Sequence, residues 1–294
     1  MKQSRILTGY LFVIFSAVIF GLMPLMARHI YADGVNPLTL VLLRNAVSMP
    51  ALLLLALLTG GTLRISPRTL PKIGFIAVMG CALTPLLLFS SYRYLPSGTA
   101  TVFHFIYPAA VVIGELLILR RGLPAVRIVS VAMCIVGVAL FCDPGGAFHL
   151  RGSLLALLSG VTYAVYILAL SNFKEKGRSV FAFAFYVTVI CTAVLLAVCL
   201  AGDLLALPRS AFGWGLSILF ALSVNVGAVV LFQKGIFLIG GSRASILSAL
   251  EPITGVLAGI LFLHEPIGLP ILLGTALVVG AGVLIALGDA RKKK

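Results

Sequence analysis

The segment TATVFHFIYPAAVVIGELLIL (residues 99–119) returns 144 residues later as RASILSALEPITGVLAGILFL (243–263), with Pro108 aligned to Pro252. Each copy is about as long as the ~20 apolar residues that a helix needs to cross a bilayer. Neither copy shows the alternation of polar and apolar residues that a half-buried strand requires. The repeated segment therefore predicts a membrane helix that occurs twice in one chain.

Composition extends this prediction to the whole chain. The 294 residues are 61% hydrophobic and 10% charged, and their mean hydropathy is +1.17. A water-soluble domain has about 25% charged residues, so the composition excludes an ordinary soluble enzyme or binding module. The net charge of +14 would suggest a nucleic-acid partner in a soluble chain, but here the placement of Lys and Arg indicates membrane topology. We expect a surrounding lipid bilayer and no nucleic acid.

Runs of low charge predict an all-α membrane protein with ten transmembrane helices, called spans 1 to 10 in chain order. Their predicted limits are 7–27, 37–58, 72–91, 98–119, 125–142, 152–170, 180–201, 211–233, 242–263 and 267–288. If the N-terminus is cytoplasmic, 17 of the 22 basic residues lie in inside segments and 4 lie outside, with Arg44 within span 2. This bias predicts that both termini are cytoplasmic.

The repeat divides the spans into two groups of five. Besides the first pair of segments, TGYLFVIFSAVIFGL (8–22) aligns with RGSLLALLSGVTYAV (151–165) at an offset of 143. The predicted repeats are residues 1–146 and 147–294, the second with a short basic tail. Because five crossings are an odd number, the second repeat enters the membrane from the opposite side, which is typical of alternating-access transporters.

Several motifs resemble the EamA-type members of the drug/metabolite transporter superfamily. They are LVLLRNAV (40–47) in span 2, FIYPAAVV (105–112) in span 4 and LEPITGVLAGILFLHEP (250–266) in span 9, within the plan of two repeats of five spans. The resemblance covers essentially the whole chain, although Arg121 stands where the family's first repeat often has a Glu. It implies a bacterial inner-membrane carrier for amino acids or other small metabolites, often an exporter. It also implies a central cavity lined by spans 1, 3, 4, 6, 8 and 9.

Glu251 is the first candidate for a functional residue. It lies nine residues into span 9, which at about 1.5 Å per residue is roughly 13 Å deep. A charge there costs about 2.5 to 3.5 kcal/mol on insertion scales, so the side chain should face the bundle interior with a partner, or be protonated. Pro252 follows and has no N–H, which should leave the carbonyl of Ser248 for a ligand or water. We predict substrate binding; the alternative is a neutral acid that closes an interhelical hydrogen bond.

Span 4 has a polar face at the equivalent depth. Tyr107 is the repeat equivalent of the acid in span 9, and Pro108 should free the carbonyl of His104. His104 and Tyr107 share a helix face and are predicted to line the substrate site, although a lone histidine can also be a hydrogen-bonded packing residue. Glu115, further along this face, is expected to pair with the arginines at 120–121.

The remaining candidates come from spans 1, 2, 6 and 8. Arg44 lies about 10 Å into span 2, too deep to reach the headgroups comfortably, and could hold a carboxylate or a helix C-terminus. Aromatic residues from the symmetry-related spans 1 and 6 could form walls for an amphipathic or cationic ligand, or could be plain packing. A proline that should break span 1 and an asparagine in the middle of span 8 complete the set. The further predicted residues are Phe20, Met23, Pro24, Tyr163, Tyr166 and Asn225.

These features predict a secondary active transporter that moves a small molecule by alternating access. Glu251 would allow a proton to be exchanged for a cationic substrate. A polar-lipid or polyprenyl-phosphate translocase is the alternative, with Arg44 and Arg93 as candidates on the outer side. A membrane-embedded enzyme lacks support because the spans contain no aspartate pair, HExxH or GxSxG. A channel is disfavoured because the deep polar residues do not form a continuous ring.

The sequence predicts no cofactor and no metal ion. The four histidines are scattered along the chain, and the five cysteines lie in apolar runs where they behave as small hydrophobes; these are Cys81, Cys134, Cys142, Cys191 and Cys199. Gly255 and Gly259 form a GxxxG pair in span 9 whose expected role is helix packing. We therefore predict a monomer or a weak homodimer.

Overall fold

The computed structural model describes residues 2–60, 63–95, 97–118, 124–140, 149–173, 179–263 and 268–291. Within these residues the regular structure is helical, without strands. The helices are α1 (Lys2–Ala32), α2 (Pro37–Leu58), α3 (Leu70–Ser91), α4 (Ser97–His104), α5 (Tyr107–Leu117), α6 (Ala125–Ala139), α7 (Leu150–Ser171), α8 (Val180–Ala201), α9 (Ala211–Ile239), α10 (Gly241–Leu247), α11 (Leu250–Leu263) and α12 (Leu269–Arg291). The predicted boundary between the repeats and Cys142 lie outside the described residues.

Six of the described helices are long and apolar enough to cross a membrane. They are Arg5–Ala32 within α1, Pro37–Leu58, Leu70–Ser91, Leu150–Ser171, Val180–Ala201 and Ala211–Ile239. Large apolar side chains such as Leu58 and Phe212 are exposed on the outside of the bundle, where lipid can cover them. The chain is thus a multi-pass α-helical membrane protein.

Two helices are longer than the sequence indicated. Span 1 was expected over 7–27, but α1 runs over Lys2–Ala32 and continues through Pro24. Span 8 was expected to end at 233, but α9 continues to Ile239. A proline within a membrane helix removes one hydrogen bond, and packing against neighbouring helices compensates for that loss, so Pro24 does not end the helix.

Prolines do break the two repeated segments. The α-helix is interrupted at 105–106, between α4 and α5, and at 248–249, between α10 and α11. Pro108 and Pro252 each lie in the first turn of the helix that follows, where the missing N–H costs nothing. The two interruptions are 143 residues apart.

The π-helical turns in α3 and α9 were not predicted. They span Val78–Leu83 and Leu222–Val229, and their first residues are 144 positions apart. In α3 the cause is local: Pro85 has no N–H to donate to the carbonyl four residues earlier, that of Cys81. Nη2 of Arg44 donates to this carbonyl instead, at 3.1 Å.

Packing pairs follow the repeat. α2 packs on α8, α5 on α10, and α6 on α12. α1 packs on α9 and α11, while α7 packs on α3, α4 and α5. Each pair joins a helix of the first half to a helix of the second half, so the core lies between the halves.

Hydrogen bonds between loops mark one end of the bundle, called here the Asp33 end. The Asp33 carboxylate accepts the N–H groups of Arg209 (2.8 Å) and Ser210 (3.0 Å) at the start of α9. Gly213 permits this approach, because a Cβ there would overlap the carboxylate. At the opposite end, called the Glu115 end, Glu115 pairs with Arg127 at 3.2 Å. The expected partners at 120–121 lie outside the described residues.

Asp33→Asn is expected to lower the unfolding temperature at neutral pH. The N–H and hydroxyl of Ser210, with the N–H of Arg209, hold the pKa of Asp33 below its ordinary value. A depressed carboxyl pKa stabilises the fold above the unfolded-state value, and this stability is lost as the pH falls through the folded-state value. Thermal unfolding of wild type and variant in detergent should therefore converge in acid. Asp203→Asn, in the nearby exposed turn, is the matched control. An equal drop in its unfolding temperature would show that the hydrogen bonds to the Asp33 carboxylate are not the cause.

Candidate functional site

A cavity lies between α1, α2, α3, α4, α7, α9 and α11. It contains about 540 Å³ of space between atoms, a volume that includes its open mouth. α1 contributes Phe20 and Met23 from its second half, and α9 contributes Val229 and Phe232. Charged and polar groups converge on this apolar lining, as is typical of a ligand site.

The structure brings seven of the ten predicted binding residues to this cavity: Phe20, Met23, Arg44, His104, Tyr163, Tyr166 and Glu251. The side chain of Tyr107 lies beside it, with its ring 5.2 Å from that of His104. Ser248 and Asn225 are buried outside the lining. Their binding roles stay predictions.

α3 supplies a wall that reasoning from the individual residues missed. Its lining residues are Gly80, Cys81, Thr84, Pro85, Leu88 and Phe89. The family resemblance had implied that span 3 faces the cavity. A proline and a glycine within one apolar span were the available signals, since both mark places where a helix is distorted.

The Glu251 carboxylate has no hydrogen bond or ion pair among the described residues. It interacts electrostatically with the hydroxyls of Tyr92, Tyr107 and Tyr163. Gly21 holds α11 against α1 at this level, because a Cβ there would lie 2.6 Å from the Glu251 carbonyl oxygen. An acid with no partner in a membrane cavity is a candidate binding group.

The carbonyl of Ser248 is not left free as expected. The N–H of Glu251 donates to it at 2.9 Å, which closes a tight 3₁₀-type turn. Pro252 removes the helical partner, and the chain replaces that partner with the next available N–H. The polar group presented at this break is therefore the Glu251 side chain rather than the backbone.

His104 has a defined orientation. Its Nδ1 lies 2.8 Å from the hydroxyl of Ser159, which itself donates to the carbonyl of Ala156 at 2.6 Å. Since the hydroxyl hydrogen is used, Nδ1–H is the donor to Ser159, and Nε2 of the neutral ring is an acceptor. Gly160 lets α7 approach closely, because a Cβ there would lie 2.5 Å from the His104 carbonyl.

Hydrogen bonds join α5 to α10 between the cavity and the Glu115 end. Tyr107 Oη lies 2.5 Å from Ser248 Oγ, and Ser248 donates to the carbonyl of Ser245 at 3.0 Å. Tyr107 is therefore the donor, and the bond ties α5 to the end of α10. Beyond it, the N–H of Ser242 donates to Glu115 at 3.3 Å. These contacts hold α5 and α10 together on the side of Tyr107 that faces Glu115.

Aromatic rings of α7 and α9 form a wall of the cavity next to α3. Tyr163 stacks on Tyr166 at 5.6 Å and on Phe232 at 5.8 Å between ring centroids. Tyr166 packs directly over Gly80, where a Cβ would overlap its ring. Such faces attract an organic cation through the ring quadrupole.

The family model for the EamA-like transporter family matches the chain twice, over residues 7–142 and 150–287. An uncharacterized inner membrane transporter of Salmonella typhimurium, YicL, is 28% identical over 74% of this chain and 73% of its own length. An uncharacterized transporter of Archaeoglobus fulgidus is 27% identical over 93% and 94% of the two chains. One of Helicobacter pylori is 25% identical over 97% and 96%.

A crystal structure of a protein that is 18% identical also matches this chain. The two superpose over 100% of both chains with a TM-score of 0.76. At this identity the likeness shows the fold alone.

Proposed function

Since this chain belongs to the EamA-like transporter family, we propose that it is a secondary active carrier that exports small metabolites such as amino acids. The carrier resides in a bacterial inner membrane with both termini in the cytoplasm. The observation that carries the proposal is an acid, Glu251, that has no hydrogen bond or ion pair among the described residues and lies in a cavity walled by Tyr163, Tyr166 and Phe232. This arrangement suits a solute with a cationic amine and an apolar body.

Several observations support ten spans arranged as two inverted repeats. The helix breaks at 105–106 and 248–249 recur after 143 residues, and the π-helical turns recur after 144. The equivalents α2 and α8 pack on each other, as do α6 and α12. Such self-pairing is expected of elements that lie on a pseudo-two-fold axis. The family model also matches each half separately.

The packing of the helices favours a cavity that opens to one side of the membrane. The hydrogen bonds that join α5 to α10 near Tyr107 and Glu115 support an opening toward the Asp33 end. The bias of basic residues supports an outside location of the Asp33 end. In this state the carrier would release an exported solute outward. The alternate state would part α5 from α10 and bring α4 and α11 together.

Glu251 couples the outward movement of the solute to the inward movement of a proton. A single carboxylate can hold either the ammonium of the solute or a proton. Release of the cationic solute outward leaves a carboxylate that takes a proton from the outside. The neutral acid then returns to the inward-facing state, loses its proton to the cytoplasm and binds the next solute.

The proposal is tested by a thermal-shift screen of the purified protein against amino acids, amines, organic acids and polar lipids. A ligand stabilises the folded state by RT ln(1 + [L]/Kd), about 2.7 kcal/mol at a hundredfold excess over Kd. We expect amino-acid-like solutes to raise the unfolding temperature. Vesicles loaded with such a solute should release it when the outside is made acidic. Stabilisation by polyprenyl phosphate alone would instead support the lipid-translocase alternative.

A further inference from the structure

Arg44 is a buried charge without a counter-ion among the described residues. Its side chain is 4% exposed and lines the cavity. Nη2 donates to the carbonyl of Cys81 at 3.1 Å, and Nε is buried without a partner. A guanidinium has five N–H donors, and leaving a buried charge uncompensated is expensive. The unfilled donors indicate that a ligand completes the site.

The surroundings hold Arg44 in place without neutralising it. The Cys81 carbonyl also lies 3.4 Å from the amide nitrogen of Asn45, so it has a second donor. The carbonyl of Arg44 accepts from Asn225 at 3.0 Å, which fixes the backbone of α2 at this point. All of these partners are neutral. The guanidinium is thus positioned by its neighbours, and its charge is left for a ligand.

Arg44 and Glu251 therefore share one cavity without touching. Glu251 and Arg44 both line it, and no ion pair joins them. Tyr166 lies close enough to Arg44 to interact with it electrostatically, and its hydroxyl accepts from Gln233 at 3.3 Å, which leaves its own hydrogen to donate. One part of the cavity thus offers donors and positive charge, and another offers the Glu251 carboxylate and His104 Nε2 as acceptors.

We infer that Arg44 binds the carboxylate of the transported solute and so makes the carrier select solutes with both a carboxylate and an amine. The inference rests on the proposed function. A guanidinium matches a carboxylate in a bidentate geometry, and charge-assisted hydrogen bonds are about twice as strong as neutral ones. Arg44 is then a specificity residue, and the solute spans the cavity between it and Glu251.

The test uses matched ligands that differ in one charge. Thermal-shift titrations compare L-phenylalanine with phenethylamine, which lacks the carboxylate, and with N-acetyl-L-phenylalanine, which lacks the ammonium. The same three forms of leucine and threonine extend the test to other side chains. In the wild type each amino acid should bind ~10 to 100 times more tightly than either single-charge form. In Arg44→Gln the amino acid should bind no more tightly than its amine, while the affinity for the amine changes less than about threefold.

A purely structural Arg44 gives a different result. If it only caps the Cys81 carbonyl, Pro85→Ala restores a backbone N–H to that carbonyl and should rescue Arg44→Gln. We expect instead that the double variant regains thermal stability but not selectivity for the amino acid. Rescue of that selectivity, or equal loss of amino acid and amine in Arg44→Gln, would overturn the inference.

The wild-type titrations do not depend on the folding of any variant. They also distinguish the role of Arg44 from the proposed carrier function. Equal binding of amine and amino acid would overturn the role of Arg44 and leave the carrier function standing. If no compound of the set binds and none is transported, the proposed substrate class is wrong and the role of Arg44 is overturned with it.

Discussion

Glu251→Gln is expected to fold, to transport ~10 to 100 times more slowly than the wild type and to lose the pH dependence of transport. Glutamine keeps the shape and hydrogen-bonding capacity of the side chain but can neither hold a negative charge nor exchange a proton. The measurement is efflux of an amino acid from vesicles at several external pH values. Glu251→Ala should transport still more slowly, because it also removes the polar group.

Glu115→Gln is the matched control for this prediction. Glu115 is also a buried glutamate, but it pairs with Arg127 and accepts the N–H of Ser242 at the closed end of the bundle. Its substitution should lower the unfolding temperature and leave the pH dependence of transport in place. If Glu251→Gln transports at the wild-type rate with the wild-type pH profile, the acid is structural. His104 would then be the next residue to test for coupling.

The positions of the six long apolar helices were largely predictable, because hydropathy and length nearly determine where a chain can enter a bilayer. The breaks in spans 4 and 9 were predictable from Pro108 and Pro252. The π-helical turns were not, because they depend on which neighbours satisfy the displaced carbonyls. Only the structure shows that Arg44 reaches from α2 to the carbonyl of Cys81.

The candidate site, like the fold, could be predicted from the sequence only in part. Polar residues deep in the spans could be found from the sequence, since such groups are costly inside a membrane and usually mark a functional site. Which of them face the cavity could not be found, because that depends on the rotation of each helix in the bundle. Asn225 illustrates the limit: it lies mid-span, yet its amide serves Arg44 and Ser48 between α2 and α9 instead of the cavity.

Gly80→Ala is expected to weaken solute binding and slow transport strongly, with only moderate loss of stability. The glycine lies in the π-helical turn of α3, and a Cβ there would overlap the ring of Tyr166. The backbone of two packed helices yields less easily than a side chain, so the ring should move into the cavity beside Arg44. Overpacking of this kind costs about 1–3 kcal/mol. If the same energy opposes solute binding, affinity falls ~10 to 100 times.

Gly74→Ala provides the comparison within the same helix. A Cβ at Gly74 meets nothing within 4 Å, so alanine should stabilise α3 by roughly 0.5–1 kcal/mol and leave transport unchanged. Thermal unfolding and solute titration of the two variants separate folding from binding. Should Gly80→Ala bind and transport like the wild type, the ring can move without narrowing the cavity. In that event Tyr166 does not form part of the cavity wall, because a ring in contact with the solute cannot be displaced without changing the affinity for the solute.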